Sequence, residues 1–141
     1  WNKRQLIAPF WITVWGAQLT TLFGKVLIGR ERPEFVAQVI EHSASFPSGH
    51  ATAAMATYGF IAYACSKQLS SWRHRFEVLF WAGVLIFVIG FSRIFLSVHY
   101  ASDVAAGFLV GAIWLLSGIA VSEWLEVRRA RKIAETGSCA R

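Results

Sequence analysis

The sequence predicts an all-α membrane protein: a polytopic bundle of four transmembrane helices. Three observations carry that prediction. Four apolar runs of bilayer length follow one another, the charges cluster between the runs, and aromatic residues are abundant. The chain has 141 residues, enough for one domain and short of two. It is 55% hydrophobic and 15% aromatic, with seven Trp, and only 16% charged. Its mean hydropathy is +0.46. That combination separates it from an ordinary water-soluble domain.

The runs are residues 6–24, 48–65, 78–98 and 104–122. The first and last hold no charged residue. The second includes only His50 and the third only Arg93. Each is close to the ~20 residues that a helix needs to cross a bilayer. One such run would fit a buried helix of a soluble protein; four in succession do not. The chain begins at Trp1 rather than Met and shows no signal peptide, so it reads as a piece of a longer protein.

Charge placement orients the runs. Lys3 and Arg4 precede the first. Lys67, Arg73 and Arg75 separate the second from the third, and Arg128, Arg129, Arg131 and Lys132 follow the fourth. With four crossings these clusters share one side, which the positive-inside rule makes cytoplasmic. The net charge of +6 therefore belongs to membrane anchoring and an anionic ligand. No basic stripe is interleaved with aromatics, so nucleic acid is not expected as a partner. Cys65 and Cys139 make neither a metal spacing nor a disulfide framework and read as free thiols. Residues 128–141 form a basic cytoplasmic tail expected to fray.

A second set of ionisable residues lies on the other side: Lys25, Arg30 and Arg32, then His50, then Arg93, His99 and Asp103. Topology does not explain these, and ionisable groups near membrane depth suggest a functional site. His99, Asp103, Gly107 and Gly111 recur every four residues, so one side of the last helix carries them all. Gly107 and Gly111 let a neighbouring helix approach closely on that side.

Three clusters converge there. Lys25, Arg32 and Arg93 bring cations from three segments, and Arg forks suit a phosphate. In Pro47-Ser48-Gly49-His50, Ser48 is positioned to cap the next helix. Gly49 lets backbone approach a ligand, and the free N–H groups of a helix start favour an anion. His99 has Asp103 one turn ahead to orient it, the logic of an activated nucleophile. His50 is placed to protonate a leaving oxygen. The pattern alone leaves open which histidine attacks; the carboxylate at i+4 favours His99.

These three motifs, Lys25-x6-Arg32-Pro33, Pro47-Ser48-Gly49-His50 and Ser92-Arg93-x5-His99-x3-Asp103, resemble the signatures of the type 2 phosphatidic acid phosphatases (PAP2). That family includes bacterial phosphatidylglycerophosphate and undecaprenyl-pyrophosphate phosphatases. Soluble acid phosphatases and vanadium haloperoxidases share its site. The resemblance implies a catalytic domain over residues 1–127 and a lipid phosphate as substrate. In it, Lys25, Arg32, Ser48, Gly49 and Arg93 bind phosphate. His50 is the general acid, His99 forms a phosphohistidine, and Asp103 supports it. The resemblance implies no metal and no cofactor. It also implies an integral protein of a bacterial cytoplasmic membrane, with its site facing the periplasm or exterior. Membrane members usually have six crossings, so two helices are expected before Trp1. A soluble acid-phosphatase relative and a non-catalytic lipid-phosphate binder are the rivals. The four runs argue against the first, and the intact set of ionisable residues against the second. The sequence does not choose among lipid phosphates and gives no support to any oligomeric state. Residues 34–46 should cross the mouth of the site, either with Phe35, Val36, Val39, Ile40 and Phe46 dipping into the membrane interface to touch an acyl or prenyl chain or as a solvated loop with a few anchors, and with His42 exposed rather than catalytic.

Overall fold

The computed structural model describes residues 3–32 and 43–138, which fold as helices joined by turns with no strand among them. The motif residue Pro33, the segment 34–42 and Cys139 lie outside the described residues. After a 3-10 turn at Lys3–Leu6 come α1 (Ile7–Ile28), α2 (Gly49–Ser66), α3 (Trp72–Phe95) and α4 (Ala101–Ser138). The connections at residues 67–71 and 96–100 are short, so consecutive helices run antiparallel. The end of α1, the start of α2, the end of α3 and the start of α4 therefore meet at one end of the bundle.

Helix boundaries follow local chemistry. Helix α1 runs past Gly24 and Lys25 and stops at Gly29, whose φ of 55° is left-handed and whose N–H donates to the Lys25 carbonyl at 3.0 Å. That is the glycine-terminated helix end. Lys25 in the last turn complements the helix dipole. Helix α3 begins at Trp72, taking Arg73, Arg75 and Glu77 into its first turns, and Arg73 pairs with Glu77 at 3.1 Å. Helix α4 does not end near Arg128 but continues to Ser138. The expected fraying of the basic tail is thus corrected over residues 128–138. Ala, Arg, Lys and Glu are strong helix formers there, and extending an existing helix needs no new nucleus.

Helix α2 is central and packs on the other three. Its buried face is small: Ala51, Thr52, Ala54, Ala56 and Ala62, with Phe60 as the one large side chain. Gly107 and Gly111 of α4 lie against it. A methyl on Gly107 would come within 2.6 Å of the Ser48 carbonyl, and one on Gly111 within 2.8 Å of the Thr52 carbonyl. The expectation that these glycines permit close approach holds. Helix α1 meets α4 where Gly118 faces Thr13 and Gly16 faces the Trp114 ring. Trp114 Nε1 donates to Thr20 Oγ1 at 2.9 Å.

The distribution of polarity is that of a membrane bundle. Thr13, Thr21, Ser48, Thr52 and Asp103 are buried, whereas Val26, Phe23, Leu109 and Phe95 are among the most exposed large side chains. Thr13 and Thr21 donate back to the carbonyls of Pro9 and Ala17 within α1, so their hydroxyls are satisfied inside it. All four helices approach bilayer length, but only α3 and α4 are also apolar enough to span by composition alone. Helix α1 is diluted by Gln18 and threonines, and α2 by His50, threonines, tyrosines and glycines. Only 11% and 22% of the apolar stretches of α3 and α4 is buried, unlike the core helix of a soluble protein.

Candidate active site

The helix ends that meet at one end of the bundle enclose an open cavity of about 470 Å³. Lys25 and Gln18 line it from α1, Gly49 and His50 from α2, and His99 from the turn before α4. Arg32, Ser48, Arg93 and Asp103 are not in its lining; Arg32, Ser48 and Asp103 form a hydrogen-bonded frame beside it.

The frame is knit by two cations, Lys25 in the last turn of α1 and Arg32 in the segment after it. Lys25 Nζ donates to Ser43 Oγ and to the Ala44 carbonyl, both at 2.9 Å. Arg32 donates to the Ser43 carbonyl at 2.9 Å, to Ser43 Oγ at 3.2 Å and to the Val98 carbonyl at 2.8 Å. Arg32 thereby fastens the residue next to His99. Arg93 sits in the last turn of α3, half-buried.

His99 is buried at 3% exposure, in the turn before α4 rather than on the helix itself. Ser97, two residues earlier, has a φ of 55°, which sets the bend that delivers Val98 and His99. A non-glycine residue there carries roughly 1–2 kcal/mol of strain. Asp103 is fully buried. One carboxylate oxygen accepts the Tyr100 N–H at 2.9 Å, closing half of a capping box at the α4 start. The other accepts from Arg30 Nη1 at 3.0 Å. His99 Nδ1 stands 3.7 Å from the carboxylate, beyond hydrogen-bond length. Asp103 faces His99 as expected, but it is shared among three partners.

Ser48 occupies the N-cap position of α2, yet its side chain makes no capping bond. That corrects the capping expectation. Its N–H donates to the Asp103 carbonyl at 3.0 Å and its own carbonyl accepts from the Thr52 N–H and hydroxyl. The backbone is thus bolted to α4, and the Ser48 hydroxyl is left buried without a hydrogen-bond partner among the described residues. His50, one residue into α2, is exposed at the cavity.

The sequence pattern missed two frame members. In the sequence Arg30 stands out only as a cation that topology does not explain. It lies over the Tyr100 ring at 4.4 Å, donates to Ser102 Oγ at 2.9 Å and pairs with Asp103. Ser43, the meeting point of Lys25 and Arg32, carries no signal in the sequence.

A family model described as the PAP2 superfamily matches residues 6–126. The chain belongs to the PAP2 superfamily. This PAP2 chain is 43% identical over 96 residues to phosphatidylglycerophosphatase B of Bacillus subtilis (strain 168), covering 65% of the chain and 47% of that protein. It is 40% identical over 80 residues to the bacitracin transport permease protein BcrC of Bacillus licheniformis, covering 55% and 34%. Its fold matches the crystal structure of a transmembrane PAP2-type phosphatidylglycerolphosphate phosphatase from Bacillus subtilis. The TM-score is 0.76 at 35% identity, over 81% of this chain and 57% of that one. The PAP2 chain thus spans about half the length, or less, of the curated relatives it matches.

Proposed function

We propose that this chain carries the catalytic core of a phosphatase that cleaves a lipid phosphate or pyrophosphate ester at the non-cytoplasmic face of the membrane. His99 is the nucleophile. One observation carries the reading: Lys25, Gly49, His50 and His99, from three separate segments, line one cavity. The name of the Bacillus subtilis relative points to phosphatidylglycerophosphate among the candidate substrates.

The chemistry follows from the placement. The Lys25 ammonium and the N–H groups at the α2 start take the phosphate oxygens. Arg32 and Arg93 add fixed positive charge that strengthens as charge builds in the transition state. With Nδ1 turned to Asp103, His99 presents Nε2 to phosphorus. The Nε2 lone pair forms the N–P bond while the P–O bond to the lipid breaks, and that oxygen takes the proton from His50. Water then attacks the phosphohistidine. His50 accepts its proton, the N–P bond breaks, and phosphate leaves. The basic residues from Lys67 to Arg75 lie at the opposite end of the bundle, which supports a non-cytoplasmic site.

The test is phosphate release by the detergent-solubilised chain from phosphatidate, phosphatidylglycerophosphate and undecaprenyl pyrophosphate. Labelled substrate should leave an acid-labile label on the wild type and none on His99→Ala, which should be inactive. Wild-type turnover by His99→Ala would overturn the nucleophile. Binding of all three lipids without phosphate release would overturn the phosphatase and favour a lipid-phosphate binder.

A further inference from the structure

Gln18 lines the same cavity as Lys25, Gly49 and His99, but on the far side of Thr21 from the cations. Seven residues before Lys25 on the same helix, it lies about 10 Å further along α1, towards the middle of the bundle. The two lie on the same face, since seven residues make two turns. The other polar side chains of that stretch have partners. Thr13 and Thr21 donate within α1, and Thr20 accepts from Trp114. The half-buried Gln18 carboxamide makes no hydrogen bond to another described residue. A carboxamide with two donors and an acceptor, facing the cavity without a hydrogen bond to another described residue, is available to a polar group of whatever the cavity binds.

Building on the phosphatase reading, we infer that Gln18 is a specificity residue that reads the glycerol backbone of the lipid. With the phosphate on Lys25, the next part of the substrate extends along α1 past Thr21 to Gln18. In a glycerophospholipid that part carries ester carbonyls and hydroxyl-derived oxygens, which can accept from the carboxamide N–H. In a polyprenyl phosphate it is hydrocarbon, and the carboxamide would stay unsatisfied against it. The cavity therefore selects a glycerolipid phosphate over a prenyl phosphate.

The experiment compares two monoesters with the same reacting group, dioleoyl phosphatidate and farnesyl phosphate, on the wild type and on Gln18→Met, which keeps the side-chain volume. The wild type should prefer phosphatidate in kcat/KM. Gln18→Met should lower kcat/KM for phosphatidate about tenfold, as expected for one hydrogen bond, and raise that for farnesyl phosphate, whose chain no longer meets an unsatisfied carboxamide. The ratio is measured within one preparation, so a partly misfolded variant lowers both values and leaves it unmoved. Gln18→Asn, with the amide drawn back by one carbon, should fall between. A wild type without preference, or a ratio that Gln18→Met does not move, overturns the inference while the phosphatase reading stands. A wild type that cleaves neither ester nor any other lipid phosphate overturns both.

Discussion

Arg30 and Asp103 form an ion pair at 3.0 Å in which the carboxylate is fully buried and the guanidinium is 40% exposed. The pair joins the segment after α1 to the first turn of α4. Asp103 also faces His99, so Arg30 would act on the proposed nucleophile through the carboxylate. Removing a partner from a charge-assisted hydrogen bond costs about 1.5–3 kcal/mol, and exposure of the arginine places this pair at the low end. Arg30→Met should therefore lower kcat about tenfold with a smaller change in KM. Arg30→Lys should retain part of the rate, because an ammonium keeps the charge but not the planar stacking on Tyr100. Steady-state phosphate release on the preferred lipid decides between these outcomes. An equal fall in both variants would mean that charge alone does not position Asp103.

Gly107 and Gly118 offer a controlled comparison along one helix. A methyl on Gly107 would press on the Ser48 carbonyl and the Ala51 and Thr52 side chains; one on Gly118 would press on Thr13. Overpacking of this kind costs about 1–3 kcal/mol. Both Gly107→Ala and Gly118→Ala should lower the thermal midpoint in detergent. Only Gly107→Ala should also lower kcat, by tenfold or more, because it pushes the start of α2 from Asp103 and His99. Equal losses of activity at matched stability would sink this distinction.

Much of this was legible in the sequence. The apolar runs foretold four helices, and the cluster spacing brought Lys25, Gly49, His50 and His99 to one cavity. The four-residue recurrence of Asp103, Gly107 and Gly111 foretold a close helix contact on that side, and α2 is the helix that makes it. What escaped has physical causes. Hydropathy locates where a helix meets lipid, not where it ends, so α4 outran its apolar stretch. Capping propensity marks a position, but the Ser48 hydroxyl makes no capping bond and its backbone N–H is engaged by the Asp103 carbonyl of α4. The division of Asp103 among Tyr100, Arg30 and His99 depends on a turn built on left-handed Ser97, which no spacing rule encodes.

At the opposite end of the bundle, Lys67 Nζ bridges Glu123 at 2.6 Å and Glu126 at 2.9 Å, tying the end of α2 to α4. Burial alone would lower the Lys67 pKa, but hydrogen bonds to Glu123 and Glu126 outweigh it and hold it above its ordinary value of 10.5. A raised folded-state pKa means that the contribution is fully present below the unfolded value. It is lost only as pH rises through the folded one. Lys67→Met should lower stability by about 1 kcal/mol at neutral pH, since the cluster is partly solvated. The wild-type-minus-variant difference in thermal midpoint should stay level from neutrality to about pH 9 and shrink only in stronger alkali. A difference that shrinks between pH 7 and 9 would contradict the raised pKa.

Ser48 separates stability from function. Its hydroxyl is buried and makes no hydrogen bond to another described residue, while its backbone carries the link to α4. Alanine keeps that backbone and removes only the hydroxyl. Deleting an unsatisfied buried polar group relieves a desolvation penalty of about 1–3 kcal/mol. Ser48→Ala should therefore fold at least as stably as the wild type, with an unchanged or higher thermal midpoint. If the hydroxyl is held there for the phosphate, the same variant should bind orthovanadate several-fold more weakly and show a higher KM. Titrating vanadate inhibition and thermal midpoint on one preparation gives both readouts. A less stable variant with unchanged vanadate affinity would make Ser48 a structural residue instead.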